Sequence, residues 1–259
     1  MREIWFQNEG VRLFAVEDGE GELIVMLHGG MASHVASWPM VEPLASRYRV
    51  VAPDLRGSGR SWSGASLTFD QLADDVEALL DHLGAERAVV GGASGGSGVA
   101  LRFALRYPGR TAGLVLVKPV YGGEERGYTG VQKETFARMD AVASRALAEG
   151  VQVLRPLYTG LPPEIRERAL AMVEGFDPAS VVATSRFIAS GAQPFAAAAE
   201  LRSLSMPALI VRGDDPLHPP EVSDLYAENL PGCTVSPAST QDVAGEIGRF
   251  CGRVWRRSG

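Results

Sequence analysis

Residues 87–98 read Arg-Ala-Val-Val-Gly-Gly-Ala-Ser-Gly-Gly-Ser-Gly, and this stretch decides how the rest of the chain is interpreted. Its first half is a short apolar run, which is typical of a buried strand. Residues 92–96 then match the pattern G-x-S-x-G, and a helical pattern follows from Gly98 to Tyr107. A serine on such a strand-to-helix turn has an exposed hydroxyl. The stretch therefore predicts Ser94 as a nucleophile, beside a helix N-terminus that stabilises negative charge.

Phosphate binding is a poorer interpretation of the same loop. It lacks the lysine of a P-loop, and Gly96-Ser97-Gly98 is followed by Leu101 where a dinucleotide-binding fingerprint has glycine or alanine. A glycine-rich loop that only turns the chain is the remaining alternative. Because strand, motif and helix coincide, the sequence favours the functional interpretation.

Outward from this segment, buried strands alternate with amphipathic helices. Such alternation predicts an α/β fold with a doubly wound sheet. In the helical pattern at 68–83, Thr68 and Gln71 form a capping-box pair and Gly84 follows the last turn. Two N-terminal segments joined at Asn8-Glu9-Gly10 predict an antiparallel edge hairpin. The predicted strands cover residues 2–7, 10–16, 23–27, 48–52, 87–93, 112–118 and 207–212.

The alternation stops between the last two of these strands. Residues 121–205 read as helical throughout and predict a helical cap, inserted into a core formed by 1–120 and 206–259. Within this cap, Asp177-Pro178 begins a helix that Gly191 ends, and Pro162-Pro163-Glu164 begins another.

Composition excludes several kinds of partner. The chain has 259 residues, 46% of them hydrophobic, and a formal net charge of −6, which argues against nucleic-acid binding. No apolar stretch reaches the 18 residues of a membrane span. Two cysteines and four scattered histidines indicate neither a disulfide framework nor a metal site. The sequence predicts a cytoplasmic protein with a small-molecule substrate and no cofactor, and leaves its oligomeric state open.

Four motifs, in this order, resemble the α/β-hydrolase superfamily: His28-Gly29-Gly30, Asp54–Ser61, the Ser94 turn and Gly213–Pro216. The resemblance covers nearly the whole chain. It implies a mostly parallel eight-stranded sheet flanked by helices, with the helical cap after the sixth strand as a lid. It also implies an oxyanion hole made by the backbone N–H groups of Gly30 and Gly95, with His28 and the loop at Asp54 in structural roles.

The resemblance also implies a catalytic acid after the seventh strand, where Asp215 matches and Asp214 competes. The superfamily's general base, a histidine after the last strand, is missing because residues 235–242 contain none. A serine hydroxyl near neutral pH needs a base. His218, three residues after Asp215, is the replacement candidate, although it equally suits a structural role at the start of a helix. His34 is the second candidate.

Three further residues are candidates for substrate binding. His34 follows the predicted oxyanion loop, and Lys118 and Tyr121 follow the sixth strand. Lys118 suits a substrate carboxylate, but a surface ion pair with Glu124 or Glu125 is favoured. Small residues such as Ala196–Ala199 hint at a roomy apolar pocket, although helix propensity alone explains them equally.

The leading interpretation is a serine hydrolase of a small ester, lactone or thioester. One alternative is a non-hydrolytic enzyme, a lyase or cyclase, on the same fold with an incomplete triad. Another is a catalytically silent ligand- or partner-binding protein on a hydrolase scaffold. The missing late histidine favours the alternatives, and the intact serine turn favours the hydrolase.

Overall fold

A computed structural model describes residues 1–161, 163–237 and 242–256. Within these residues eight strands form one sheet in the order β1-β2-β4-β3-β5-β6-β7-β8. The β1–β2 and β2–β4 pairs are antiparallel and the other pairs are parallel. The predicted fold class is confirmed. The strands are β1 Arg2–Asn8, β2 Val11–Asp18, β3 Leu23–Leu27, β4 Arg49–Pro53, β5 Ala88–Ala93, β6 Thr111–Val117, β7 Ala208–Val211 and β8 Cys233–Ser236.

Helices cover both faces of this sheet and fill the segment between β6 and β7. The α-helices are α1 His34–Ser37, α2 Phe69–His82, α3 Gly95–Arg106, α4 Gly130–Ala143, α5 Ala146–Glu149, α6 Pro163–Glu174, α7 Pro178–Ala189, α8 Pro220–Asn229 and α9 Val243–Arg256. Short 3₁₀ segments are Trp38–Met40, Glu42–Leu44, Pro108–Arg110, Val151–Tyr158 and Ala198–Ser203. None of the helices in the described ranges is long and apolar enough to cross a membrane.

Strand β3 explains why the central strands are continuous apolar runs. Side chains of a strand alternate between its two faces. Leu23, Val25 and Leu27 pack into the core shared with α2 and α3, whereas Ile24 and Met26 pack into the core shared with α9. Both faces are buried, so no polar position remains in the strand. Fully burying one such side chain stabilises the fold by roughly 1.5–3 kcal/mol.

Most predicted boundaries hold to within one or two residues, and the start of α3 is the main difference. The helix begins at Gly95 rather than Gly98, so Ser94 lies immediately before its first turn. In α2, the Thr68 hydroxyl accepts from the Gln71 N–H as predicted, but the Gln71 side chain donates to Glu9 instead of completing the box. Pro162, predicted to begin α6, lies outside the described residues.

Between β6 and β7, the described residues form helices and connecting turns and no strand. Among the hydrogen bonds that join this helical segment to the sheet domain, three go to the loops after β3 and β4. Tyr158 donates to the Met31 carbonyl, Thr184 donates to the Gly57 carbonyl at 2.7 Å, and Ser180 accepts from the Ser63 N–H at 2.8 Å. The segment is thus fastened over the ends of β3 and β4. That it acts as a lid stays a prediction.

Candidate active site

The serine turn is sharp and conformationally strained. Ser94 has φ 50° and ψ −118°, a combination that a non-glycine residue adopts only when its surroundings impose it. Two neighbouring glycines make the turn sterically feasible. A methyl group on Gly92 would lie 2.0 Å from the Gly96 carbonyl oxygen, and one on Gly96 would lie 2.3 Å from the His28 carbonyl oxygen. The turn leaves Ser94 half-buried.

His218 lies beside this hydroxyl. Its Nε2 atom is 2.9 Å from Ser94 Oγ, and its Nδ1 atom is 2.9 Å from both carboxylate oxygens of Asp215. When Nδ1 carries the proton and donates to Asp215, Nε2 is left as an acceptor for the Ser94 hydroxyl. The three side chains therefore have the relative geometry of a serine–histidine–aspartate triad.

A tight turn after β7 holds the acid and the imidazole together. Asp215 Oδ1 accepts hydrogen bonds from the backbone N–H groups of Leu217 and His218, each at 3.0 Å. Partial burial raises the pKa of the Asp215 carboxyl, but hydrogen bonding to His218 and to these N–H groups outweighs burial and leaves the pKa below its ordinary value. Asp215 is therefore a carboxylate near neutral pH.

The prediction for Lys118 was wrong about its partner. Its ammonium group lies 3.0 Å from Asp214 and 3.7 Å from Asp215, rather than beside Glu124 or Glu125. The parallel strands β6 and β7 pair directly, so residues just past their carboxyl ends meet. Asp214 thus pairs with Lys118 while Asp215 contacts His218, which separates the two candidate acids by position.

Gln132 of α4 is a residue that the sequence interpretation missed. Its side chain is fully buried and its amide nitrogen donates to the Leu217 carbonyl at 2.8 Å and to the Val120 carbonyl at 3.0 Å. Its amide oxygen accepts from the Thr129 N–H. The helical segment thereby holds the backbone next to His218. The Thr129–Gln132 spacing signals a helix cap, but no local pattern signals the contact with Leu217.

The two predicted oxyanion-hole residues are neighbours. A methyl group on Gly95 would lie 3.0 Å from the Gly30 nitrogen, and one on Gly29 would lie 3.3 Å from Ser94 Cβ. Among the described residues, neither Gly30 N–H nor Gly95 N–H has a hydrogen-bond acceptor. As the first residue of α3, Gly95 also lies at the positive end of the helix dipole. Both N–H groups are therefore available to an anionic oxygen, and that they form an oxyanion hole stays a prediction.

The other two histidines near this loop are engaged elsewhere. His28 is buried, donates from Nδ1 to the Gly29 carbonyl and accepts from the Leu55 N–H at 3.0 Å, in line with the expected structural role. Burial lowers the pKa of His28 and keeps it neutral. His34 contacts the buried carboxylate of Asp54 at 2.8 Å and does not line the cavity beside Gly30 and Gly95. The structure thus brings His218, and not His34, to Ser94.

A small cavity opens beside the Gly30–Gly95 pair, between the sheet domain and the helical segment. Tyr121 lines it, as expected, and its remaining walls are mostly apolar: Leu67, Leu72, Val99, Phe187 and Ile188. The volume of the cavity is about 30 Å³. Ile188 of α7 lies directly over Gly30 and helps keep this cavity small, while the roomy pocket that the small residues hint at stays a prediction. Burial raises the pKa of Tyr121 to about 12, so its hydroxyl stays neutral.

Metal ligands do not cluster at this site: in the described parts of the chain, no group of three or more His, Cys, Asp or Glu side chains could hold an ion. The groups that the described residues bring together here are a hydroxyl, an imidazole, a carboxylate and two backbone N–H donors.

Comparison with known proteins assigns the class. A family profile described as the alpha/beta hydrolase fold matches residues 22–240, and the chain belongs to this family. Epoxide hydrolase B of Mycobacterium tuberculosis is 38% identical over 135 residues, which are 49% of this chain and only 37% of that protein. A putative carbamate hydrolase of Caulobacter sp. is 28% identical over 83% of this chain and 81% of its own length.

Among solved structures, a thermophilic esterase from Thermogutta terrifontis superposes with a TM-score of 0.75 at 26% identity, covering 100% of this chain and 99% of the esterase. These relatives are hydrolases of one family with different substrates. The comparisons therefore assign the family and leave the substrate class open.

Proposed function

We propose that this chain is a serine hydrolase acting on a small ester, lactone or thioester, with Ser94 as nucleophile, His218 as general base and Asp215 as acid. The observation that carries the proposal is the 2.9 Å separation between His218 Nε2 and Ser94 Oγ, with Asp215 on the opposite nitrogen. A hydroxyl with a positioned base is the requirement for covalent acyl transfer.

In this mechanism Ser94 Oγ attacks the carbonyl carbon of the substrate while His218 Nε2 takes the hydroxyl proton. The carbonyl oxygen becomes an oxyanion and accepts hydrogen bonds from the Gly30 and Gly95 N–H groups. His218 then gives the proton to the departing alkoxide or thiolate, which leaves an acyl group on Ser94. A water molecule gives a proton to His218 Nε2 and attacks the acyl carbon; the bond to Ser94 Oγ then breaks, His218 returns the proton to Oγ, and the carboxylic acid leaves. Asp215 holds the imidazole in the required tautomer throughout.

The alternatives lose their main argument in this arrangement. Both the non-hydrolytic enzyme and the silent binding protein were favoured because residues 235–242 contain no histidine. His218 reaches Ser94 from the loop after β7 instead, so the late position need not supply a base. The hydrolase names of the relatives support the same reaction class.

Labelling with a fluorophosphonate tests the nucleophile, because only an activated serine reacts. We expect an adduct on Ser94 in the unmodified protein and none in Ser94→Ala, which should also lose turnover of p-nitrophenyl acetate. His218→Ala should slow acylation on the order of a hundredfold or more, as losses of a general base typically do. His82→Ala is the matched control, because His82 is exposed at the end of α2.

The assignment of the base is tested by His34→Ala. If His34→Ala rather than His218→Ala abolishes labelling, the assignment of His218 as the general base is wrong. If the unmodified protein forms no adduct and turns over no ester, lactone or thioester, the hydrolase proposal itself is refuted.

A further inference from the structure

The cavity beside Gly30 and Gly95 lies where the acyl part of a substrate would be held. Its position follows from the carbonyl oxygen, which the two N–H groups would bind. The cavity is small, about 30 Å³. A short alkyl group suits this space better than an extended chain does.

The walls of the cavity are chemically suited to such a group. Most of the lining side chains are aliphatic or aromatic, and Gly95 and Val99 form the wall contributed by α3. Arg56 also lines the cavity, but its guanidinium is buried and paired with Asp75 at 2.6 and 2.8 Å. Because the Asp75 carboxylate neutralises this guanidinium, Arg56 has little net charge with which to attract a carboxylate of the substrate. The site therefore favours an uncharged alkyl group.

Two larger clefts share lining residues with this cavity. One, of about 470 Å³, runs between α2 and the end of the helical segment, where Asp70, Arg102 and Glu200 contribute to its walls. The other, of about 330 Å³, lies against α7 near Ala179 and Ala183. Either cleft has ample room for an extended acyl chain, so what separates it from the small cavity decides the chain length.

Two side chains line all three spaces: Leu67 and Phe187. A side chain shared by adjoining cavities lies on the boundary between them. Phe187 is half-buried on α7 and packs edge-on against Phe69, with ring centroids 5.0 Å apart. Leu67 precedes α2 and is 8% exposed. The aromatic ring of Phe187 is thus the larger part of the partition, and it is held in place by a second ring.

We infer that Phe187 closes the acyl pocket and restricts this protein to short, uncharged acyl groups. This inference rests on the proposed function, since it assigns the cavity to the acyl group of an ester cleaved at Ser94. Phe187 acts here as a specificity-determining residue, and it takes no part in proton transfer.

A chain-length series of p-nitrophenyl esters, from acetate to octanoate, tests the inference. In the unmodified protein kcat/KM should be highest for acetate or propionate and fall at butyrate and beyond. Phe187→Ala should open the partition and shift the optimum to longer chains. Each newly buried methylene adds about fourfold to kcat/KM, so three of them should raise the ratio of hexanoate to propionate roughly sixtyfold.

Phe136→Ala is the control, because Phe136 is a buried phenylalanine of the same helical segment that packs on Tyr128 and lines none of the three spaces. It should leave the chain-length profile unchanged. An unmodified protein that hydrolyses octanoate as readily as acetate would overturn the inference. So would a Phe187→Ala variant that retains the original optimum.

A binding measurement tests the role of Phe187 independently of ester cleavage. In a Ser94→Ala background, the thermal stabilisation by intact acetate and hexanoate esters is compared with and without Phe187→Ala. If no ester is turned over, the hydrolase proposal fails, while a gain in hexanoate binding on removal of Phe187 still supports the partition. If esters are turned over but neither binding nor kcat/KM changes with chain length in the variant, only the partition is wrong.

Discussion

Replacing Gln132 by leucine should lower both stability and turnover, because Gln132 fastens the backbone beside His218. Leucine has a similar volume and no polar atoms, so the substitution leaves the Leu217 and Val120 carbonyls and the Thr129 N–H without their partners. An orphaned buried group costs roughly 1–3 kcal/mol. The Val120 carbonyl bears this cost fully, while the other two groups are only partly buried and regain some hydration. We expect a loss of about 2–4 kcal/mol in the free energy of unfolding.

The effect on turnover comes from the position of the imidazole. Leu217 is the residue before His218, so release of its carbonyl frees the segment that holds Nε2 at 2.9 Å from Ser94. Misplacement of a catalytic group by about 1 Å can cost on the order of a hundredfold. We expect kcat on p-nitrophenyl acetate to fall tenfold to a hundredfold, with KM changed far less because Gln132 does not line the cavity.

Ser61→Ala provides the matched comparison. Ser61 is fully buried, and its hydroxyl also serves two backbone partners, donating to the Asp54 carbonyl at 2.8 Å and accepting from the Phe14 N–H at 2.9 Å. The Ser61→Ala variant should lose a free energy of unfolding similar to that lost by Gln132→Leu, measured by urea unfolding. Its kcat should stay within about twofold of that of the unmodified protein. A Gln132→Leu variant that is destabilised but keeps full kcat would refute the reasoning, since the loop would then hold His218 without the amide.

Three other outcomes follow from the site. Asp215→Asn should reduce kcat far more than Asp214→Asn. The pKa of Asp215 lies below its ordinary 3.8, so the stability that its carboxylate contributes is complete above that pH and is lost as the pH falls through the lowered pKa. The free energy of unfolding, measured with urea, should therefore depend less on pH below 3.8 in Asp215→Asn than in the unmodified protein. Gly92→Ala should abolish fluorophosphonate labelling through its clash with the Gly96 carbonyl, whereas Gly109→Ala, which meets no atom within 4 Å, should label normally. Burial raises the pKa of the Cys251 thiol to about 12, so iodoacetamide at pH 8 should leave it unmodified by mass spectrometry and activity intact; modification there would contradict the assigned burial.

Local patterns were sufficient for the sheet and the serine turn. The strand preceding Ser94, the glycines around it and the helix after it are all contiguous, so the sequence specifies the turn directly. The Asp215–His218 pair is also local, since three residues separate the two side chains. Whether that pair would reach Ser94, which is 124 residues from His218, depended on strand order and could only be a hypothesis.

Contacts between distant segments were the part that the sequence could not supply. Lys118 was assigned to Glu124 or Glu125 because these are near in sequence, although strand pairing brings Asp214 closer. The contact between Gln132 and Leu217 joins residues 85 positions apart and has no sequence signal. The size of the cavity depends on how α7 places Phe187 and Ile188, which no local pattern signals.

One short turn carries both Asp215 and His218, so the proposed acid and base move as a unit. Their spacing is fixed by one short stretch of backbone, in which the Asp215 carboxylate also binds the Leu217 and His218 N–H groups. Only one distance in the proposed triad, from His218 to Ser94, then spans separate parts of the fold, and the paired strands β5, β6 and β7 set it. Loosening of the loop after β7 would therefore affect the proposed reaction by changing one distance, that from His218 to Ser94. The described residues of the last strand and helix then contribute no side chain to the proposed triad.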